Sequence, residues 1–130
     1  MPKFSNKSRI LLNQCDVQLQ EVCEIAIEIM DFTIITSYRD KTAQDKAFSE
    51  GNSKLEYPES KHNNYPSQAV DIAPYPVDWQ DRDRFMLLAG VMLGIAHSRG
   101  IMLRWGGDWS GSFNPRANKF ADLGHFEIKE

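Results

Sequence analysis

The segment Ala69-Val70-Asp71-Ile72-Ala73 puts a carboxylate in the middle of an otherwise apolar run. The run ends at Pro74 and Pro76 and is predicted to be a strand, with Asp71 on the face opposite Val70 and Ile72. An ionised side chain on such a strand is rarely buried without a partner, because an unpaired buried charge is strongly unfavourable. Any fold of this chain must therefore supply Asp71 with a cation, a loop to cap or a metal ion. Arg39 is one candidate partner. His62, nine residues before Asp71, and His125, near the end of the chain, are the others.

A chain of 130 residues is expected to form one domain, spanning 1–130, with no separate second domain. A domain of this size buries roughly two thirds of its unfolded surface and needs no disulfide to hold a core. The net charge of -3 lacks the basic footprint of a nucleic-acid binder, so no nucleic-acid partner is expected. Cys15 and Cys23 are expected on or beside one helix. Eight residues of helix rise about 12 Å, too far for a disulfide. Free thiols fit a reducing compartment. The N-terminal residues have no apolar core of a signal peptide, and no stretch approaches the ~20 apolar residues of a membrane span. A monomer without membrane insertion is expected.

Leu19, Val22, Cys23, Ala26, Ile29 and Met30 recur at helical spacing, with Asp16 as N-cap. Phe32 to Thr36 is β-branched and short, and is predicted to be a strand. Thr42 can cap a short helix running to about Glu50, ended by Gly51-Asn52. The polar stretch from Asn52 to Ser67 is predicted to be a long loop, a feature that is uncommon and often functional. Asp81 to Arg99 is the longest predicted helix, with Phe85, Leu88, Ala89, Met92, Leu93 and Ala96 as its core stripe. Strands are predicted over Ile101–Trp105 and Gly124–Ile128, separated by a second polar loop that contains Asn114-Pro115. The elements are too few for a doubly wound sheet. A small α+β domain with a central, mainly antiparallel sheet flanked by helices fits them best.

Two imidazoles and a carboxylate are enough to hold one zinc ion and leave a fourth position open to water, whose pKa the metal lowers to roughly 7. A nearby carboxylate can then take a proton, and a cation can stabilise the developing oxyanion. His62, Asp71 and His125 offer the ligands, Asp122 the base and Arg39 the cation. The helical HExxH signature is absent, so such a site must be built from strands and loops. His97 is read as a helix-end residue favoured by the dipole, and Trp105 and Trp109 as packing residues rather than a ligand platform.

These residues also carry a resemblance. Thr36-Ser37-Tyr38-Arg39 with Gln44, Ser60-Lys61-His62, Ala69 to Pro74, Trp105-Gly106-Gly107-Asp108-Trp109 and Asp122-Leu123-Gly124-His125-Phe126-Glu127 occur in this order. In them the chain resembles the LAS-type zinc metallopeptidases, which include D-alanyl-D-alanine carboxypeptidases and dipeptidases. It is most similar to their phage branch, the L-alanyl-D-glutamate endopeptidase endolysins. The resemblance implies a fold shared with the hedgehog signalling domain and the D,D-peptidases. It implies one catalytic zinc ion held by His62, Asp71 and His125. It implies catalytic roles for Asp122 and Arg39 and a substrate contact or loop-orienting role for Ser60. Glu127 is either a partner that orients a ligand or a plain edge-strand acid. Many relatives have six residues, one a glycine, between the first histidine and the aspartate. This chain has eight and no glycine, and its substrate preference is expected to be set there.

The expected activity is zinc-dependent cleavage of peptidoglycan stem peptides at the L-Ala–D-Glu bond during phage lysis. The enzyme is expected in the bacterial host cytoplasm, reaching the wall after holin action or membrane permeabilisation. The alternatives are a D,D-carboxypeptidase or dipeptidase acting on D-Ala-D-Ala ends, and a non-catalytic zinc-stabilised cell-wall-binding module.

Overall fold

The computed structural model describes residues 2–114 and 122–129. Pro115, expected within the second polar loop, lies outside the described residues. The elements in chain order are α1 (Asn6–Leu12), α2 (Val17–Ile29), β1 (Phe32–Thr36), α3 (Lys41–Ser49), β2 (Ala69–Pro74), α4 (Arg82–Ser98), β3 (Leu103–Trp105) and β4 (His125–Ile128). The four strands form one sheet in the order β1-β2-β4-β3, with every neighbouring pair antiparallel. This is the α+β architecture expected from the sequence.

The helices begin where short polar side chains satisfy free backbone donors. Asp16 caps α2 through the Gln18 amide, and Asp81 caps α4 through the Arg84 amide. In α3 the cap is Asp40, whose carboxylate accepts from the Ala43 amide, rather than Thr42. The aspartate already stands in extended backbone before the first turn, so the helix starts two residues earlier than the threonine would allow. α1, capped by Ser5, has no counterpart in the sequence reading, since seven residues are too few for a clear apolar period.

The core forms where α2 and α4 pack on each other and on the sheet. Leu19, Val22 and Cys23 of α2 meet Leu88, Ala89 and Met92 of α4 over Val70, Ile72 and Phe126. Ile95 joins the α4 stripe and Leu93 is only half-buried, because the stripe drifts around the helix over its length. Cys15 and Cys23 are buried free thiols. Burial pushes the Cys15 thiol up to about 12, so it behaves as a small hydrophobe rather than a nucleophile.

The strand period of two then places the site. Val70, Ile72 and Phe126 point into the core, so Asp71, His125 and Glu127 project from the opposite face. The ladder pairs Asp71 directly with His125. Between β1 and β2 the register slips: Ile34 pairs with Ile72 but Thr36 with Asp71, leaving Ile35 as an extra residue. A bulge of this kind bends the strand end, and Arg39 follows three residues later.

Candidate metal centre and catalytic cleft

The loop from Asn52 to Ser67 carries a short 3-10 turn, Lys61–Asn63, within what the sequence predicts as irregular chain. Ser60 caps it: its hydroxyl accepts from the His62 amide at 3.2 Å, while its own amide donates to Asn63 Oδ1 at 3.1 Å. Two backbone bonds tie the turn down. The Arg39 amide donates to His62 O at 2.8 Å, and the Gln68 amide to Lys61 O at 3.1 Å. His62 is thereby buried beside β2.

His62, Asp71 and His125 converge. One donor atom from each lies within 4.8 Å of the others. His62 Nε2 is 3.2 Å from Asp71 Oδ1, and His125 Nδ1 is 2.9 Å from the same oxygen. Donors to one tetrahedral zinc stand roughly 3.3 Å apart, close to the two separations from Asp71 Oδ1, while the third pair lies within 4.8 Å. The far nitrogens are also occupied. His62 Nδ1 lies 2.7 Å from Ser37 O, and His125 Nε2 lies 2.8 Å from Glu127 Oε1. With those nitrogens donating, each imidazole in its neutral form turns a bare nitrogen toward Asp71, which is the outer-shell pattern of metal-binding histidines. The donor set fits a divalent ion such as zinc.

The electrostatics agree with this packing. For Asp71, burial raises the pKa, but the two imidazoles outweigh it and hold the carboxyl well below the usual carboxylate range. For His125, burial favours the neutral ring, yet bonds to Asp71 and Glu127 raise it from 6.5 to about 9. Asp122 is shifted the other way. Burial and the Asp71 charge raise its pKa, only partly offset by the imidazoles and the Gly124 amide. A carboxyl poised above its ordinary value beside a cluster of donors is suited to accept and return a proton.

All of these residues border one cleft of about 330 Å³, with Arg39, Ser60 and Asp122 beside the three converging donors. Arg39 donates through Nη1 to Gln44 Oε1 at 2.9 Å, and its Nη2 is 3.6 Å from Asp71 Oδ2. Gln44, fully buried, is itself held by its amide nitrogen on Leu55 O at 2.7 Å. Asp122 is fixed through its backbone: its amide donates to Gly106 O at 2.9 Å, and its carbonyl accepts from the His125 amide at 3.1 Å. A Cβ on Gly106 would stand 2.3 Å from Asp122 O, so only glycine permits this approach.

Trp109 and Arg104 line the cleft without a role there read from the sequence, and Glu127 takes the ligand-orienting role that was one of its two readings. Trp109 faces His125 with ring centroids 5.3 Å apart and lines the cleft, so it is more than loop packing. Arg104 bonds Glu127 Oε2 at 2.9 Å from the neighbouring strand. Glu127 lies on an inner strand, not an edge, and serves His125. Asp108 is buried and organises its own loop, accepting from the Phe113 amide at 2.7 Å. Trp105 belongs to the core, and His97 is exposed on α4, as expected.

A sheet with one face on helices and the other bearing the converging His62, Asp71 and His125 in a cleft makes a small α+β domain, and a solved structure shares this fold. The Serratia marcescens L-Ala D-Glu endopeptidase ChiX matches with a TM-score of 0.77 at 22% identity, over 98% of this chain and 90% of that chain. Among curated proteins none matches the sequence. Residues 1–129 match the model of the phage L-alanyl-D-glutamate peptidase family, and the chain belongs to that family. No helix among the described residues is long and apolar enough to cross a membrane.

Proposed function

We propose that this chain is a zinc-dependent endopeptidase that cuts the L-alanyl–D-glutamyl bond of peptidoglycan stem peptides. The observation that carries the reading is the convergence of His62 Nε2, Asp71 Oδ1 and His125 Nδ1, each imidazole anchored through its other nitrogen. Membership of the phage family supports the choice of bond.

Zinc, when bound by these three residues, supplies a Lewis acid and an acidified water. The chain's own groups do the rest. Asp122 takes a proton from water as the water oxygen bonds to the scissile carbonyl carbon. Arg39 holds the carbonyl oxygen while negative charge develops there. As the carbon–nitrogen bond breaks, Asp122 returns its proton to the departing amine. Ser60 keeps the His62 turn in place and borders the substrate path.

In this reading the enzyme acts as a monomer in host-cell lysis by a phage. It is made in the bacterial cytoplasm and reaches the wall once the membrane is permeabilised. Mass spectrometry of purified sacculi after digestion tests the chemistry, with and without chelator and with zinc restored. New alanine C-termini paired with new glutamate N-termini, lost with chelator and regained with zinc, are expected. Release of free D-alanine instead would replace this reading with a D,D-carboxypeptidase. Zinc binding without any cleavage would replace it with a wall-binding module.

A further inference from the structure

Two arginines flank the candidate metal group from opposite edges of the sheet. Arg39 follows β1, and Arg104 lies on β3, paired with Glu127 of β4. Arg39 is largely committed, to Gln44 and Asp71, and its side chain is 15% exposed. Arg104 is differently placed. Its guanidinium carbon sits 5.3 Å over the Trp109 ring, its Nη2 donates to Glu127, and its side chain is 40% exposed on the cleft wall. The stacking and the ion pair hold the side chain in one orientation. Among the described residues its Nε is buried without a hydrogen-bond partner, so the donors that face the cleft are the terminal nitrogens, of which Nη2 is engaged with Glu127.

The charges around it favour an anion. Glu127 is approached by two permanent cations, Arg104 at 2.9 Å and Lys61 at 3.9 Å, and by His125 as well. That corner thus carries surplus positive charge. The rest of the cleft holds Asp71, Asp122 and Glu59, which would repel an incoming carboxylate, against Arg39 and Lys54 as its other cations. Lys61 is drawn off, since its ammonium also donates to Ile128 O. A planar guanidinium stacked in place suits a carboxylate better than a mobile ammonium does.

A glutamyl residue within a peptide always retains one free carboxyl, because only one of its two carboxyls continues the chain. Resting on the proposed bond specificity, we infer that Arg104 binds that free carboxylate of the glutamyl residue on the leaving side of the scissile bond. Trp109 and Glu127 position it, and Arg39 remains with the carbonyl oxygen. Arg104 is thus a specificity-determining residue that selects an acidic over an amidated stem peptide.

The test compares two N-acylated L-alanyl–D-glutamyl peptides that differ only in the free carboxyl, present as carboxylate or carboxamide. The readout is the ratio of their kcat/KM values in the zinc-loaded enzyme. The native enzyme is expected to favour the carboxylate at least about tenfold, the scale of a charge-assisted contact. Arg104→Gln should bring the ratio close to one, and Arg104→Lys should leave it between the two. A native ratio near one overturns the inference, as does a ratio unchanged in Arg104→Gln, which would reduce Arg104 to a support for Glu127. Collapse in Lys61→Gln instead would move the contact to Lys61 and overturn the assignment. Failure of the native enzyme to cut either peptide would instead strike the proposed bond specificity itself.

Discussion

His125 Nε2 and Glu127 Oε1 lie 2.8 Å apart, two residues along one strand and on the same face of the sheet. The bond is short-range in sequence, yet it decides which nitrogen of His125 can serve a metal. With Nε2 donating to Glu127, the neutral ring carries its lone pair on Nδ1, which faces Asp71. Glu127→Gln keeps the shape but removes the charge and lets the amide present the wrong end to the ring. Zinc affinity, measured by competition with a chromophoric chelator, should fall about 10- to 100-fold. An unchanged affinity would show that His125 does not need this partner.

The same two carboxylates make zinc binding depend on pH. A proton on His125 must leave before Nδ1 can bind a metal, and that proton is held up to about 9. Below that pH each further unit of acidity should weaken zinc binding roughly tenfold. Without metal the linkage has the opposite sense. A raised folded-state pKa means that the stabilisation by His125 is fully present below the ordinary value of 6.5 and is lost as pH rises through about 9. Chelated protein should therefore melt at a lower temperature near pH 9.5 than near pH 6.5, while zinc affinity climbs over the same range. Flat profiles for both quantities would contradict the charge state assigned to His125.

The centre of the site was legible because its residue types are out of place. A carboxylate inside Ala69–Ala73 asks for a partner wherever the strand ends up, and the strand period puts it opposite Val70 and Ile72. The surroundings were less legible because they depend on register. Nothing in Arg104 or Glu127 alone says that β3 and β4 pair so that the two face each other. Gln44 shows how a neutral residue can matter: it is buried under Arg39 and aims it, but a glutamine five residues on carries no pattern by itself. The turn at Lys61–Asn63 escaped for a related reason, since its capping box uses Asn63 rather than an acidic residue.

Gly124 tests how tightly the last strand must approach the second. The Ile72 amide donates to Gly124 O at 2.8 Å, and a Cβ on Gly124 would lie 2.4 Å from Ile72 O. Backbone atoms, unlike a flexible side-chain tip, cannot move aside cheaply. Gly124→Ala should lower stability by about 1–3 kcal/mol in denaturant titration. It should also weaken zinc binding, since His125 is the next residue. Native stability together with native zinc affinity would mean that the strands can separate without disturbing the site.

Arg39 should matter for turnover more than for metal retention. Its Nη2 stands 3.6 Å from Asp71 Oδ2, longer than a direct hydrogen bond, while Gln44 fixes its other terminal nitrogen. Arg39→Ala should cost about 10²–10³ in kcat, the scale for losing an oxyanion donor, with a smaller change in KM. Arg39→Lys keeps the charge but cannot span Gln44 and the cleft together, so only part of the rate should survive. A loss confined to KM would place Arg39 in ground-state binding instead.

Asp122 carries the sharpest prediction because its environment separates proton transfer from metal binding. It is absent from the converging donor set, yet it borders the same cleft and has a raised pKa, chiefly through burial and then through Asp71. Asp122→Asn should keep stoichiometric zinc and lower kcat by at least about 10²-fold, within the usual range for a general base. In the native enzyme, protonation of Asp122 removes the base, so activity should fall toward acid with a limb lying above the ordinary carboxylate value of 3.8. That limb should vanish from the residual activity of Asp122→Asn, whereas acid loss of zinc would persist in both enzymes. Metal content followed alongside turnover separates the two, and a variant that keeps both the limb and the rate would remove Asp122 from the chemistry.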